Sequence, residues 1–165
     1  MNEAQPAGRK NPLRLLLHVP VPWVFVLTYL VGVALERAFP LHVDDVATLP
    51  ALNTAGAALF AIGAAIAAWG LITFRKARTT TVPGRTSSQL VTWGPYRFTR
   101  NPMYVGLSLA YLGEAGLLRQ TWPPLLLLLT IAYLNSIVIP LEESKLKEAF
   151  AETYDQYRKT VRRWI

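Results

Sequence analysis

Three long apolar runs dominate the chain. Leu15–Leu35 has no formally charged residue across 21 positions, Val46–Phe74 has none across 29, and Gln120–Leu141 has none across 22. A hydrocarbon core about 30 Å thick is crossed by about 20 helical residues. Each run therefore predicts a transmembrane helix, and a buried helix of a soluble domain is the rival reading. A fourth candidate, Pro102–Leu118, is shorter and contains Glu114. Beyond Leu141 the pattern changes. Leu146, Phe150, Tyr154, Tyr157, Val161 and Trp164 recur at intervals of four, four, three, four and three. That spacing predicts one face of an amphipathic helix, with Lys145, Glu148, Glu152, Asp155, Arg158 and Arg162 falling elsewhere. Such a helix lies on a membrane surface or covers the ends of a bundle.

Smaller features refine the segments. Residues 1–14 are polar, contain Pro6, Gly8, Asn11 and Pro12, and read as a flexible tail. A signal peptide is the competing reading of residues 9–35. The apolar run exceeds the usual h-region and has no small-x-small site before Glu36, so a retained helix is preferred. Pro20 and Pro22 are expected in its first turns, where they remove few internal bonds. The second run carries Gly56, Ala57, Gly63, Ala64, Ala67, Ala68 and Gly70, small residues that let another membrane helix approach closely. Thr79–Gln89 is a linker, either disordered or ordered over a site. Arg119-Gln120-Thr121 is expected to turn the third helix into the fourth, which Pro123 and Pro124 open, and Arg119 is placed to pair with Glu114.

Charge orients these elements. Residues 75–101 hold six basic residues and no acidic one, whereas residues 36–50 hold three acids and one base. The bias of basic residues toward the cytoplasm puts both termini and the 75–101 loop there, and that parity makes Pro102–Leu118 a span. The expectation is an all-α, polytopic membrane protein with about four transmembrane helices plus a C-terminal amphipathic helix. Residues 15–165 form one membrane domain. The composition agrees: 52% of the 165 residues are hydrophobic and the mean hydropathy is +0.27, high for a soluble domain. The net charge of +7 fits helix ends touching anionic lipid and does not require nucleic acid.

Candidate chemistry is confined to one membrane edge. There is no cysteine, hence no disulfide or thiolate. No metal-ligand motif, Ser-His-Asp order, P-loop or GxGxxG is present. His18 and His42 lie far from the basic loop. What remains is Tyr96, Arg97, Arg100, Asn101 and Tyr104 in the stretch Leu90–Gly106, with the paired carboxylates Glu142-Glu143. Arginine suits bidentate carboxylate recognition. Adjacent glutamates at a membrane boundary are costly unless solvated or paired. They suit ribose hydroxyls, an ammonium or a sulfonium. A salt bridge between the loop and the last helix is the equally open alternative.

The pieces LVTWGPYRFTRNPMYVG (Leu90–Gly106), EESKL (Glu142–Leu146) and FAETYDQYRKTVRRWI (Phe150–Ile165) together resemble the isoprenylcysteine carboxyl methyltransferase family, which is related to the membrane phospholipid methyltransferases. The resemblance implies a small helical membrane enzyme using S-adenosyl-L-methionine, with its cofactor site on the cytosolic side. It assigns cofactor binding to Leu90, Val91, Gly94, Tyr96, Arg100, Asn101, Pro102, Tyr104, Gly106, Glu142 and Glu143, and catalysis to Arg100, Asn101 and Tyr104. Where eukaryotic members carry His before Pro-x-Tyr, Asn101 stands here, and Asn cannot become cationic. The implied reaction is displacement at the sulfonium methyl, driven mostly by alignment. A carboxylate acceptor needs no base near neutral pH, and Arg100 or Arg97 would orient it. The acceptor's lipophilic tail would enter from the bilayer between helices. A phospholipid-type amine acceptor would need a base that residue types alone do not name. A sterol-reductase-like oxidoreductase using NADPH and a non-enzymatic membrane scaffold are the other readings.

Overall fold

The computed structural model describes residues 20–41, 49–77 and 89–165. The N-terminal tail, His18, His42, Asp44, Asp45 and the Pro83-Gly84 turn lie outside the described residues. Among the described residues every regular element is helical. They are α1 (Val21–Ala38), α2 (Leu49–Lys76), a single 3-10 turn (Gly94–Arg97), α3 (Pro102–Leu117), α4 (Trp122–Tyr133) and α5 (Ile139–Thr160). A π turn at Leu134–Val138 joins α4 to α5 without a break between them.

α1 starts later than the apolar run suggests. Pro20 has ψ of 133°, outside the helical region, and the helix begins at Val21. In a helix begun at Leu15, both prolines would sit past the first turn. Each would delete an internal bond and press on the carbonyl four residues back. Starting at Val21 leaves Pro22 at the second position, where no bond is lost. At the other end, Glu36 and Arg37 belong to the last turn of α1 and not to the following loop.

Three helices, Val21–Ala38, Pro50–Lys76 and the apolar part of Trp122–Thr160, are long and apolar enough to cross a membrane. Their outward surfaces agree: Trp23, Leu27, Leu30, Val31, Phe60, Ile62, Leu125, Leu128 and Leu129 are exposed. In water such a surface would be unstable; against lipid it is at home. α3 is shorter but lies antiparallel along α2. Gly56 meets Gly113 and Leu117, Gly63 meets Gly106 and Ala110, and Gly70 meets Met103. A Cβ at Gly63 would overlap the backbone of Ala110, and one at Gly113 the backbone of Phe60. Glycines seven apart on both helices thus let the two backbones touch, the close packing that holds helices together where apolar burial drives little.

The second pairing, α1 with α4, is also antiparallel. Gly32 abuts Pro123, and the hydroxyl of Thr130 donates to that of Thr28 at 3.0 Å. One carboxylate oxygen of Glu36 accepts from the backbone N–H groups of Thr121 (2.8 Å) and Trp122 (2.9 Å). It therefore caps the start of α4 from another helix, satisfying donors that the helix itself leaves free. Tyr29 and Tyr111 pack edge to face at 4.8 Å within a core that also takes Phe25, Ala115, Leu127 and Leu134. Arg119, with φ of 54°, makes the α3–α4 turn. Its Nε donates to Asn53 Oδ1 at 3.1 Å, in place of the expected pairing with Glu114.

The expected C-terminal amphipathic segment continues from α4 and meets the loop before α3, covering one end of the bundle. The apolar run ends at Leu141, and the polar part of Trp122–Thr160 continues beyond it. Ala151, with φ of 41° and ψ of −116°, kinks it. The expected apolar face is real: Tyr154, Tyr157 and Val161 are buried together, with Leu90, Leu146 and Phe150 against them. Val161 and Trp164 lie past the helix end, and Trp164 joins the main core instead.

Candidate functional site

The site is built where the loop before α3, the start of α3 and the π turn with α5 converge at one end of the bundle. The loop enters through Gly94, whose φ of 63° favours glycine, and a Cβ there would come within 3.0 Å of Thr73 Oγ1. Pro95 then presets the 3-10 turn, and Tyr96 is buried with its ring edge-on to Phe74 at 5.0 Å. Arg97 and Phe98 point outward. The carbonyl of Tyr96 accepts from Tyr157 Oη at 2.7 Å, fastening α5 to the loop.

The last residues of the chain thread alongside the loop. Arg100 N donates to the carbonyl of Arg162 at 2.9 Å. The carbonyl of Arg163 accepts from Thr99 Oγ1 at 3.0 Å and from Asn101 Nδ2 at 2.9 Å. Asn101 therefore uses its amide on the C-terminus and makes no side-chain cap for α3, although it stands at that position.

The adjacent carboxylates have opposite surroundings. Glu143 is held by two guanidinium groups. Arg100 Nη2 lies 2.9 Å from Oε1, and both side chains are largely buried, 12% and 13% exposed. Arg163 reaches it through Nε at 3.2 Å and Nη2 at 2.7 Å. Glu142 has no cation in hydrogen-bond range among the described residues; its Oε1 accepts from Tyr104 Oη at 2.7 Å. Burial pushes its carboxyl up from 4.5 to about 7. The Tyr104 hydrogen bond and Lys145 oppose that rise, and Glu143 adds to it. The Tyr96 phenol is pushed up by burial, then by Tyr157 and Glu142. Hydrogen bonding to Glu143 raises Arg163 further above its ordinary value.

Among the described residues, two buried polar atoms here have no partner: Tyr96 Oη and Arg100 Nε. Buried groups of this kind are normally satisfied. Their place beside a carboxylate pair marks them as groups a ligand would complete.

The residues singled out from sequence thus separate into classes. Tyr96, Arg100, Asn101, Tyr104, Glu142 and Glu143 come together. Leu90 and Val91 pack on flanking clusters, Leu90 on Tyr154 and Tyr157, Val91 on Ala77 and Tyr96. Pro102 is buried as the first residue of α3. Gly106 faces the backbone of Ala67 and Gly63, where it serves helix contact. Arg97 stands outside the cluster. The loop and the last helix are joined by a salt bridge, and the carboxylate that takes Arg100 is Glu143. Arg163, Thr99 and Asn135 were missed. Asn135 Oδ1 accepts from Arg163 Nη1 at 3.1 Å and lies in the π turn. An asparagine within an apolar run was the available signal, since polar groups in membrane helices find partners.

A family model described as phospholipid methyltransferase matches residues 52–153, more than half of the chain. It takes in nearly all of α2, α3, the loop between them and both carboxylates, and stops before Arg163. No curated protein and no solved structure gives a significant match.

Proposed function

The chain belongs to the phospholipid methyltransferase family, and from that premise we propose that it is an integral membrane enzyme that moves a methyl group from S-adenosyl-L-methionine to the amine of a lipophilic acceptor. One observation carries the reading: the buried, unpartnered Tyr96 Oη and Arg100 Nε stand in the same cluster as the carboxylates Glu142 and Glu143. The chemistry of that donor set fits the cofactor. Arg100 Nε offers a donor to its carboxylate, Tyr96 Oη a hydroxyl partner, and Glu142 an acceptor for its ammonium or ribose hydroxyls. When bound, the group supplies an electrophilic methyl on a sulfonium. Tyr96, Arg100, Asn101, Tyr104, Glu142 and Glu143 hold and align it. Asn101 acts through its bond to the C-terminal segment.

Charge supports an amine acceptor. A carboxylate acceptor, as in isoprenylcysteine carboxyl methylation, needs a free cation aimed at the site. Arg100 is shared between Glu143 and the cofactor's carboxylate, Arg163 holds Glu143, and Arg97 is exposed. Glu142 without a paired cation favours a positively charged headgroup instead. The bias of basic residues puts this end, with both chain termini, in the cytoplasm and makes α3 the fourth span. The acceptor's tail would remain in the bilayer.

The test is incubation of membranes containing the protein with methyl-labelled cofactor, followed by identification of the labelled lipid. Label on an amine headgroup is the expected result; label on a carboxyl ester would overturn the acceptor class. Thermal protection of purified protein by S-adenosylhomocysteine and not by NADPH separates the methyltransferase from the reductase reading. Protection by neither supports a scaffold.

A further inference from the structure

We infer that Arg163 is a positioning residue for the cofactor: by taking the fork of Glu143 it leaves Arg100 a single bond to that carboxylate and keeps Arg100 Nε free for the carboxylate of the cofactor. The inference rests on the S-adenosyl-L-methionine reading above and names what sets the geometry of that site. Arg163 acts through Glu143 and not by touching the cofactor.

A carboxylate accepts a guanidinium best when each of its oxygens takes one of two parallel N–H groups. Two arginines compete for that arrangement at Glu143, and Arg163 holds it, through Nε to Oε1 at 3.2 Å and Nη2 to Oε2 at 2.7 Å. Arg100 is left with one contact, Nη2 to Oε1 at 2.9 Å, and its Nε is buried with no partner among the described residues. A buried charged donor without a partner is costly. A side-on fork of Arg100 on Glu143, Nε and Nη2 together, would satisfy it at once, and Arg163 occupies the oxygen that this fork needs. Arg163 is itself fixed, because its Nη1 donates to Asn135 Oδ1 at 3.1 Å. The same stretch of chain also sets the backbone of its competitor. The carbonyl of Arg162 accepts from Arg100 N, and the carbonyl of Arg163 accepts from Thr99 Oγ1 and Asn101 Nδ2. Those bonds fix where the Arg100 side chain begins, and the occupied fork fixes where it ends.

Removing the Arg163 side chain frees Oε2 of Glu143. Arg100 then closes its own fork there, its Nε is satisfied within the protein, and the cofactor's carboxylate loses its donor. The adenosine and the ammonium do not depend on Arg100 Nε, so the loss falls on the carboxylate alone. A segment that only braced the fold would, once loosened, weaken the hold on every part of the ligand alike.

Calorimetry on the full chain in detergent tests this with two probes. One is S-adenosylhomocysteine; the other is its decarboxylated analogue, an aminopropyl thioether of the same nucleoside that keeps the amine and lacks only the carboxylate. The wild type should prefer S-adenosylhomocysteine by about ten- to a hundred-fold, the worth of a charge-assisted hydrogen bond. In Arg163→Ala the preference should shrink to near parity through lost affinity for S-adenosylhomocysteine, with affinity for the analogue unchanged. Arg163→Lys keeps the charge without the planar fork and should show the same selective loss to a smaller extent. Should Arg163→Ala fail to fold, Arg163→Lys decides. Equal weakening toward both probes makes Arg163 a brace of the fold and overturns the proposal. So does a preference that neither variant changes, or a wild type that binds both probes alike. A wild type that binds neither probe refutes the cofactor reading itself, which is a different failure from a wild type whose preference Arg163 does not affect.

Discussion

Arg163 and Glu143 meet fork against fork, with Nε 3.2 Å from Oε1 and Nη2 2.7 Å from Oε2. The contact ties the last residues of the chain to the start of α5. Arg163 Nη1 continues to Asn135 in the π turn at 3.1 Å. One side chain thus fixes the distance between the C-terminal segment, whose Arg163 carbonyl accepts from Asn101 and Thr99, and the carboxylate that holds Arg100.

That arrangement ranks three variants. Removing one partner of a buried pair costs about 3–5 kcal/mol, because the other charge is stranded. Glu143→Gln strands two guanidinium groups and should be the most damaging. Arg163→Ala should cost less, since the Arg163 side chain is 32% exposed and Arg100 still serves Glu143. Arg163→Lys keeps the charge but loses the fork and the bond to Asn135, and should fall between Arg163→Ala and the wild type. Thermal melting in detergent gives the order. A milder effect of Glu143→Gln than of Arg163→Ala would show that Glu143 is not the hub.

Glu36 supports a second, distant connection. Its carboxylate accepts from two backbone N–H groups at the start of α4, and a negative charge there also complements the helix dipole. Glu36→Gln keeps one acceptor and removes the charge. It should lower stability by about 1–2 kcal/mol while leaving S-adenosylhomocysteine affinity unchanged, because Glu36 lies at the opposite end of the bundle from Glu142. Parallel loss of affinity and stability would show that the two ends are coupled.

Much of this was legible in the sequence, for identifiable reasons. Uncharged runs announced the spans because lipid admits little else. The four-and-three spacing from Leu146 announced the buried face of Tyr154 and Tyr157. The loop and the carboxylate pair were legible as a cluster because charged groups at a membrane edge need partners. What stayed hidden depends on which partner each group finds. Nothing in the order of residues separates Glu142 from Glu143; the roughly 100° between neighbours on a helix aims one at Tyr104 and the other at Arg100. α1 begins at Val21 because Pro20, expected within its first turns, takes a non-helical ψ and stands outside the helix. Gly106 lies in a stretch that resembles a cofactor loop, yet its neighbour is Ala67 on α2.

The glycine seam gives a paired test. A Cβ at Gly113 would overlap the backbone of Phe60, whereas one at Gly116 would make ordinary contact, 3.5 Å from Gly56 Cα. Gly113→Ala should therefore destabilise by about 1–3 kcal/mol through overpacking. Gly116→Ala should be neutral or slightly stabilising, since alanine favours the helix by up to about 1 kcal/mol over glycine. Melting temperatures of the two proteins in the same detergent check this. Equal effects would mean that α2 and α3 do not touch along Gly56, Gly63, Gly106 and Gly113.

Glu142 makes the stability of the protein depend on pH in an unusual direction. Most carboxylates are easier to ionise in the folded state, and acid removes their contribution. Here burial raises the folded-state value from 4.5 to about 7, so the folded protein binds this proton more tightly than the unfolded chain does. The contribution is fully present below pH 4.5, is lost as pH rises toward 7, and is absent above it. Between those limits the slope reaches at most about 1.4 kcal/mol per pH unit. Other acidic groups titrate in the same window, so the difference between variants is the quantity to read. Glu142→Gln cannot ionise and should gain on the wild type as pH goes from 5 to 8. Tyr104→Phe removes the bond that favours the ionised form and should lose stability more steeply over the same interval. Melting curves of the three proteins at pH 5, 6, 7 and 8 decide the matter. A constant gap between Glu142→Gln and the wild type would mean that Glu142 keeps an ordinary carboxyl and is not buried as described.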